Sequence, residues 1–168
     1  MLSFTGCSET KSGGSSSSGK ESDTINLGFV LPLTGSVPNL GSAMKNGAEL
    51  AIEEINNAGG INGKKIKATI EDDENKPATA PNAITKLIEQ DKVDAVLGTY
   101  ASSCSIAMAP IAAQNKKVML SIGSTNAKVT SEGGEYVFRA CFIDPFQGKI
   151  AAEYAYNDLD AKKVAVLY

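Results

Sequence analysis

Two clusters of hydroxyl-bearing residues carry the chemistry open to this chain. The first, Ser102-Ser103-Cys104-Ser105, follows an apolar run over residues 93–97 that Gly98 stops. The second, Gly123-Ser124-Thr125, follows an apolar run over residues 118–122. Ser102 opens a helical pattern, where free backbone N–H groups and the positive end of the helix dipole favour an anion. The chain has no histidine, which removes Ser-His-Asp and Cys-His nucleophilic sites and any His-ligated metal from the chain as given. Its three cysteines, Cys7, Cys104 and Cys141, show no CxxC spacing, so a structural zinc site is not expected. Cys104, with no base in sight, reads as a small buried thiol. The acidic run Glu71-Asp72-Asp73-Glu74 has two readings, a cation site and a solvated strand end, and the second is the expected one. No metal or other cofactor is expected.

The elements that must position these clusters alternate. Residues 93–97 form a strand, residues 102–114 an Ala-rich helix and residues 118–122 a second strand. Two buried strands joined by a helix make a right-handed βαβ unit. Both hydroxyl clusters then fall just past the strand carboxyl ends, the edge at which open α/β sheets bind ligands. The same alternation runs from Thr24. A strand over 25–31 ends at Pro32. A helix over 40–58 places Met44, Ala48, Ala51, Ile52 and Ile55 inward, with Gly47 suited to close packing on the sheet. A strand covers 66–70. A helix over 77–90 places Ala80, Ala83, Ile84, Leu87 and Ile88 inward, with Pro77 in its first turn. A Gly-rich loop surrounds Gly133-Gly134, and a short strand covers 136–139. Repeated strand-helix alternation predicts an α/β fold, a doubly wound and mostly parallel sheet. After Arg139, residues 141–148 read as a connector, with Pro145 opposing helix at the residue before it. A helix with an apolar stripe through Ile150 and Tyr154 follows, and a strand begins at Val164. A strand with nothing after it leaves its neighbours unpaired, so the sequence reads as a chain cut short.

A net charge of −3 and a pI near 5.0 argue against nucleic acid as a partner. No apolar run approaches the ~18 residues of a membrane span. Residues 1–7 end in Leu2-Ser3-Phe4-Thr5-Gly6-Cys7, which resembles the end of a bacterial lipoprotein signal peptide, with Cys7 as the lipidated residue. Phe4 departs from the usual aliphatic residue, and no basic or apolar region precedes the run. Residues 8–23 are a Gly/Ser-rich tether of about 20 Å root-mean-square span. Within it, Gly14 to Lys20 matches P-loop spacing, but Glu21 replaces the needed Ser or Thr and no strand precedes it. A nucleotide site is therefore not expected there.

Beyond these local readings, the chain resembles the type I periplasmic solute-binding proteins of ABC transporters, in the leucine/isoleucine/valine group. The resemblance rests on GFVLPLTGSVPNLGSAMKNGAELAIEEINNAGGINGKKI, VDAVLGTYASS, LSIGST and FRACFIDPFQG, and it covers residues 24–168. It implies two lobes that clamp a ligand between them. Residues 24–140 correspond to a nearly complete lobe one, and residues 141–168 to the crossover and the start of lobe two. By the same resemblance, the Ser102 hydroxyl binds the carboxylate of an amino acid or amide ligand. The Gly123 carbonyl accepts from its ammonium, and Thr125 contributes its hydroxyl and backbone N–H. Ser103 and Gln147 are weaker candidates. A first-loop aromatic of some relatives falls at Leu40, and a disulfide position of some relatives is Ala101.

The implied function is extracytoplasmic capture of an amino acid, branched-chain or similar, for a membrane permease. The chain would act at the outer face of the cytoplasmic membrane through a lipid anchor at Cys7, or in the periplasm, without catalysis. A ligand sensor of the same fold and an enzyme on a doubly wound sheet are the alternatives. Serine is also a preferred helix N-cap, so Ser102 and Ser103 have a purely structural alternative, as do Gly123 in a turn and Thr125 as a cap.

Overall fold

A computed structural model describes residues 24–166 of the 168. Cys7, the tether over 8–23 and its P-loop-like run lie outside the described residues. Five strands are present: β1 (Thr24–Leu31), β2 (Lys65–Asp72), β3 (Ala95–Gly98), β4 (Val118–Ser121) and β5 (Val137–Arg139). They alternate with α1 (Pro38–Asn57), α2 (Ala80–Glu89), α3 (Ser102–Gln114), α4 (Lys128–Ser131) and α5 (Asp144–Asn157). The sheet order is β2-β1-β3-β4-β5, and every pairing is parallel. A parallel sheet needs a crossover between successive strands, and the crossover helices cover its faces.

Strand alternation divides the sheet side chains between those faces. Val30, Val96, Met119 and Val137 turn to α2 and α3 and join the main core. There, α2 buries Ala80, Ala83, Ile84, Leu87 and Ile88, the five residues its periodicity predicts. Full burial of each larger side chain contributes about 1.5–3 kcal/mol. Leu27, Phe29 and Leu97 turn the other way. With Met44, Ala48 and Ile52 of α1 they line an apolar groove of about 270 Å³. Here one expectation fails: Gly47 meets nothing within 4 Å. The buried residue of α1 is Gly41, where a Cβ would lie 2.0 Å from the Pro32 carbonyl oxygen.

Other boundaries also move. Residues 77–79 form a turn, with the Thr79 and Ala80 N–H groups donating to the Lys76 carbonyl, so α2 starts at Ala80. The short helix α4 has too few residues to show periodicity. The expected connector at Asp144-Pro145 is the first turn of α5. Proline lacks an N–H that the first helical turn leaves unpaired anyway, so it is tolerated there. The expected strand at Val164 is absent from the described residues. Val164 and Val166 are 78% and 81% exposed and have no neighbouring strand to pair with.

Candidate functional site

The loops after β3 and β4 open into a cleft of about 600 Å³. Four predicted residues, Ser102, Gly123, Thr125 and Gln147, line it together. Ser103 does not. It is exposed on α3, because consecutive helical residues point about 100° apart. Gln147 reaches the cleft from the first turns of α5 rather than from a connector. Sequence reasoning missed the apolar side of the cleft, formed by Tyr100, Ile122 and Phe142, and the Cys141 thiol. The signal for Tyr100 was its position between Gly98 and Ser102, in the loop already singled out.

The polar edge is built by two loops that hold each other. The Asn126 N–H donates to Ser102 Oγ at 3.2 Å. A Cβ on Gly123 would lie 3.2 Å from Tyr100 Cα, so the loops approach closely where a side chain would push them apart. Among the described residues, the Ser102 and Thr125 N–H groups have no acceptor. They are free to meet an anionic oxygen in the cleft.

Beneath the cleft lies a buried polar layer. Asp73, Thr99, Ser105, Ser121 and Ser124 are all fully buried. The Thr99 hydroxyl donates to Asp73 Oδ2, and the Asn75 N–H donates to Asp73 Oδ1 at 2.9 Å. Ser105 Oγ and Ser124 Oγ share a hydrogen bond of 2.8 Å. The Ser124 hydroxyl also lies 3.2 Å from the Thr99 and Tyr100 carbonyls. The layer ties the loops after β2, β3 and β4 together, because a buried polar group left unpaired costs about 1–3 kcal/mol.

The acidic run is thus not a solvated strand end. Asp73 anchors the layer, and Asp72 locks the loop after β1. Asp72 Oδ1 accepts from the N–H groups of Leu33 at 2.9 Å, Thr34 at 3.3 Å and Glu74 at 2.8 Å. Its Oδ2 accepts from the Thr34 hydroxyl at 2.5 Å. Burial pushes the Asp72 carboxyl up, but the Thr34 hydroxyl and the three N–H groups outweigh it and hold the group below its ordinary value. Glu71 pairs with Lys86. Among the described residues no cluster of three or more His, Cys, Asp or Glu side chains is arranged for a metal ion.

Cys104 is fully buried, as its sequence context suggests. Burial, then the nearby Asp73, push its thiol up to about 11, so it is not a thiolate at neutral pH. Cys104 and Cys141 are both free. Among the described residues, no helix is long and apolar enough to cross a membrane.

The periplasmic binding protein family model matches residues 24–168. This chain belongs to the periplasmic binding protein family. It is 40% identical over 142 residues to an amino acid binding protein of Pseudomonas aeruginosa. That match covers 84% of this chain and 38% of the relative. A Leu/Ile/Val-binding protein homolog of Brucella melitensis is 33% identical over 144 residues, covering 86% of this chain and 39% of the relative. Among solved structures, the branched-chain amino acid transporter substrate binding protein LivJ of Streptococcus pneumoniae, in complex with isoleucine, matches with a TM-score of 0.76 at 37% identity. That superposition covers 83% of this chain and 40% of LivJ. The leucine binding protein LivK of Thermotoga maritima matches with a TM-score of 0.73 at 37% identity, over 83% of this chain and 39% of LivK. The chain therefore spans about two fifths of the length of these relatives.

Proposed function

We propose that this chain captures a small amino acid, branched-chain or similar, outside the cytoplasm and delivers it to the permease of an ABC transporter. The observation that carries this reading is the division of one cleft into two chemistries. Ser102 and Thr125 offer hydroxyls and unpaired N–H groups to a carboxylate. The Gly123 carbonyl is available to an ammonium. Tyr100, Ile122 and Phe142 offer apolar surface to an aliphatic side chain. A zwitterion with an apolar side chain matches that division, and the relatives' names point to the same ligand class. In this reading a second lobe closes over the ligand and no bond is made or broken.

Calorimetry on the full-length protein with leucine, isoleucine and valine tests the reading. Ser102→Ala is expected to weaken binding by about 1.5–3 kcal/mol, the range for hydrogen bonds to charged groups. Thr125→Ala acts similarly and not additively, since both hydroxyls meet one ligand. Unchanged affinity in both variants would remove these residues from the site. In the same reading Cys7 carries the lipid that holds the protein at the membrane, an inference from the lipobox-like run and the polar tether. Metabolic labelling with a fatty acid is expected to mark the protein and to fail after Cys7→Ala; label that persists sinks the anchor.

A further inference from the structure

From Ser124 to Asn126, every backbone N–H and C=O has a partner except one. The Ser124 N–H donates to Ser121 Oγ at 3.2 Å. The Asn126 N–H donates to Ser102 Oγ. The Thr125 carbonyl accepts from the Asp144 N–H at 3.1 Å. The remaining two carbonyls, on either side of Thr125, both accept from Arg139; the Ser124 carbonyl also accepts from the Cys141 thiol at 3.3 Å and the Asn126 carbonyl from the Val129 N–H at 3.2 Å. Arg139 Nη1 donates to Ser124 O at 3.3 Å and to Asn126 O at 2.6 Å. Its Nη2 donates to the Thr130 hydroxyl at 2.9 Å. The group left over is the Thr125 N–H.

Peptide geometry gives that remainder a direction. In a trans peptide the N–H points opposite to the C=O. The Thr125 N–H shares its peptide plane with the Ser124 carbonyl. Holding that carbonyl toward Arg139, with the Cys141 thiol as a second and weaker donor, therefore turns the N–H the other way. A planar guanidinium suits this task, since it holds several acceptors at once in a fixed fork, which an ammonium does not. Its hydrogen bonds all end on neutral oxygens, so its positive charge also stays available to a nearby carboxylate.

We propose that Arg139 is a positioning residue that aims the Thr125 N–H at the ligand carboxylate. The proposal rests on the amino-acid reading of the cleft, and its test separates the two. The full-length protein is labelled with 15N-threonine, and Arg139→Gln and Arg139→Lys are compared with wild type. Val129→Ala, a buried change on α4, serves as a control for lost stability alone. Arg139→Gln is expected to weaken leucine binding at least about tenfold, and Arg139→Lys by less. In the ligand-free protein, the Thr125 amide is expected to be ordered in wild type and mobile in Arg139→Gln. Val129→Ala should lower the unfolding temperature yet keep leucine affinity within about twofold.

The proposal is overturned if Arg139→Gln binds leucine like wild type. It is equally overturned if affinity falls in step with unfolding temperature across Arg139→Gln and Val129→Ala, or if the Thr125 amide is as ordered in Arg139→Gln as in wild type. A wild-type protein that binds no amino acid defeats the functional reading instead. The order of the ligand-free Thr125 amide then decides the role of Arg139 by itself.

Discussion

Helices α2 and α5 both place large apolar side chains about one turn apart and meet opposite surroundings. In α2, Ala80, Ile84, Leu87 and Ile88 recur at helical intervals and are all buried. In α5, Phe146, Ile150 and Tyr154 recur four residues apart, yet they are 56%, 47% and 56% exposed. No residue of α5 is buried. Periodicity thus reveals which stripe of a helix is apolar, while what covers the stripe depends on the rest of the fold. Helix α2 lies between two parallel strands of one sheet, and the crossover itself delivers its cover. Helix α5 follows the last strand, and nothing among the described residues covers it well enough to bury a side chain.

The comparison can be broken most directly at Leu87. Leu87→Ala opens a cavity in the main core and should cost about 2–5 kcal/mol of stability, read from urea unfolding. A loss under about 1 kcal/mol would mean that this face is no better packed than α5.

Acid sharpens the contrast through Asp72, at the end of the strand that precedes α2. The carboxyl of Asp72 lies below its ordinary value of 3.8 in the folded state. Its stabilising contribution is therefore fully present above that value. It is lost as pH falls through the folded-state value, because the unfolded chain takes up the proton first. Urea midpoints measured from neutral pH downward should fall more steeply for wild type than for Asp72→Asn. Parallel profiles would show that the hydrogen bonds from Leu33, Thr34 and Glu74 contribute no pH-dependent stability.

The smallest effect is expected on α5. Ile150→Ala removes a half-exposed side chain and should change stability by no more than about 0.5 kcal/mol. A larger loss would place α5 among the packed elements and erase the distinction drawn from its exposure.

The same contrast explains what was legible beforehand. The inward set of α2 and the placement of Ser102, Gly123 and Thr125 at one sheet edge follow from periodicity and from parallel topology, both written in local sequence. The role of Asp73 is not local. An acidic residue at a strand end reads as solvated until the Thr99 hydroxyl, 26 positions away, is seen to donate to it. Ser103 was over-read because a Ser-Ser pair hides the rotation between neighbouring helical residues. At Val164 a β-branched sequence favours a strand, and the described residues provide no neighbour for it to pair with.

Adjacent carboxylates at the end of β2 also give the site a reading frame. Asp72 secures the loop after β1, and Asp73 secures the loop after β3. Successive side chains of an extended segment point to opposite sides, so neighbours in sequence serve different loops. Single substitutions along β2 leave that division in place. One inserted or deleted residue exchanges the two sides and sends each carboxylate to the wrong loop. For descendants of this gene, substitution in β2 is therefore the open route of change, and length variation belongs in the Asn62-Gly63 turn at the opposite end of the strand.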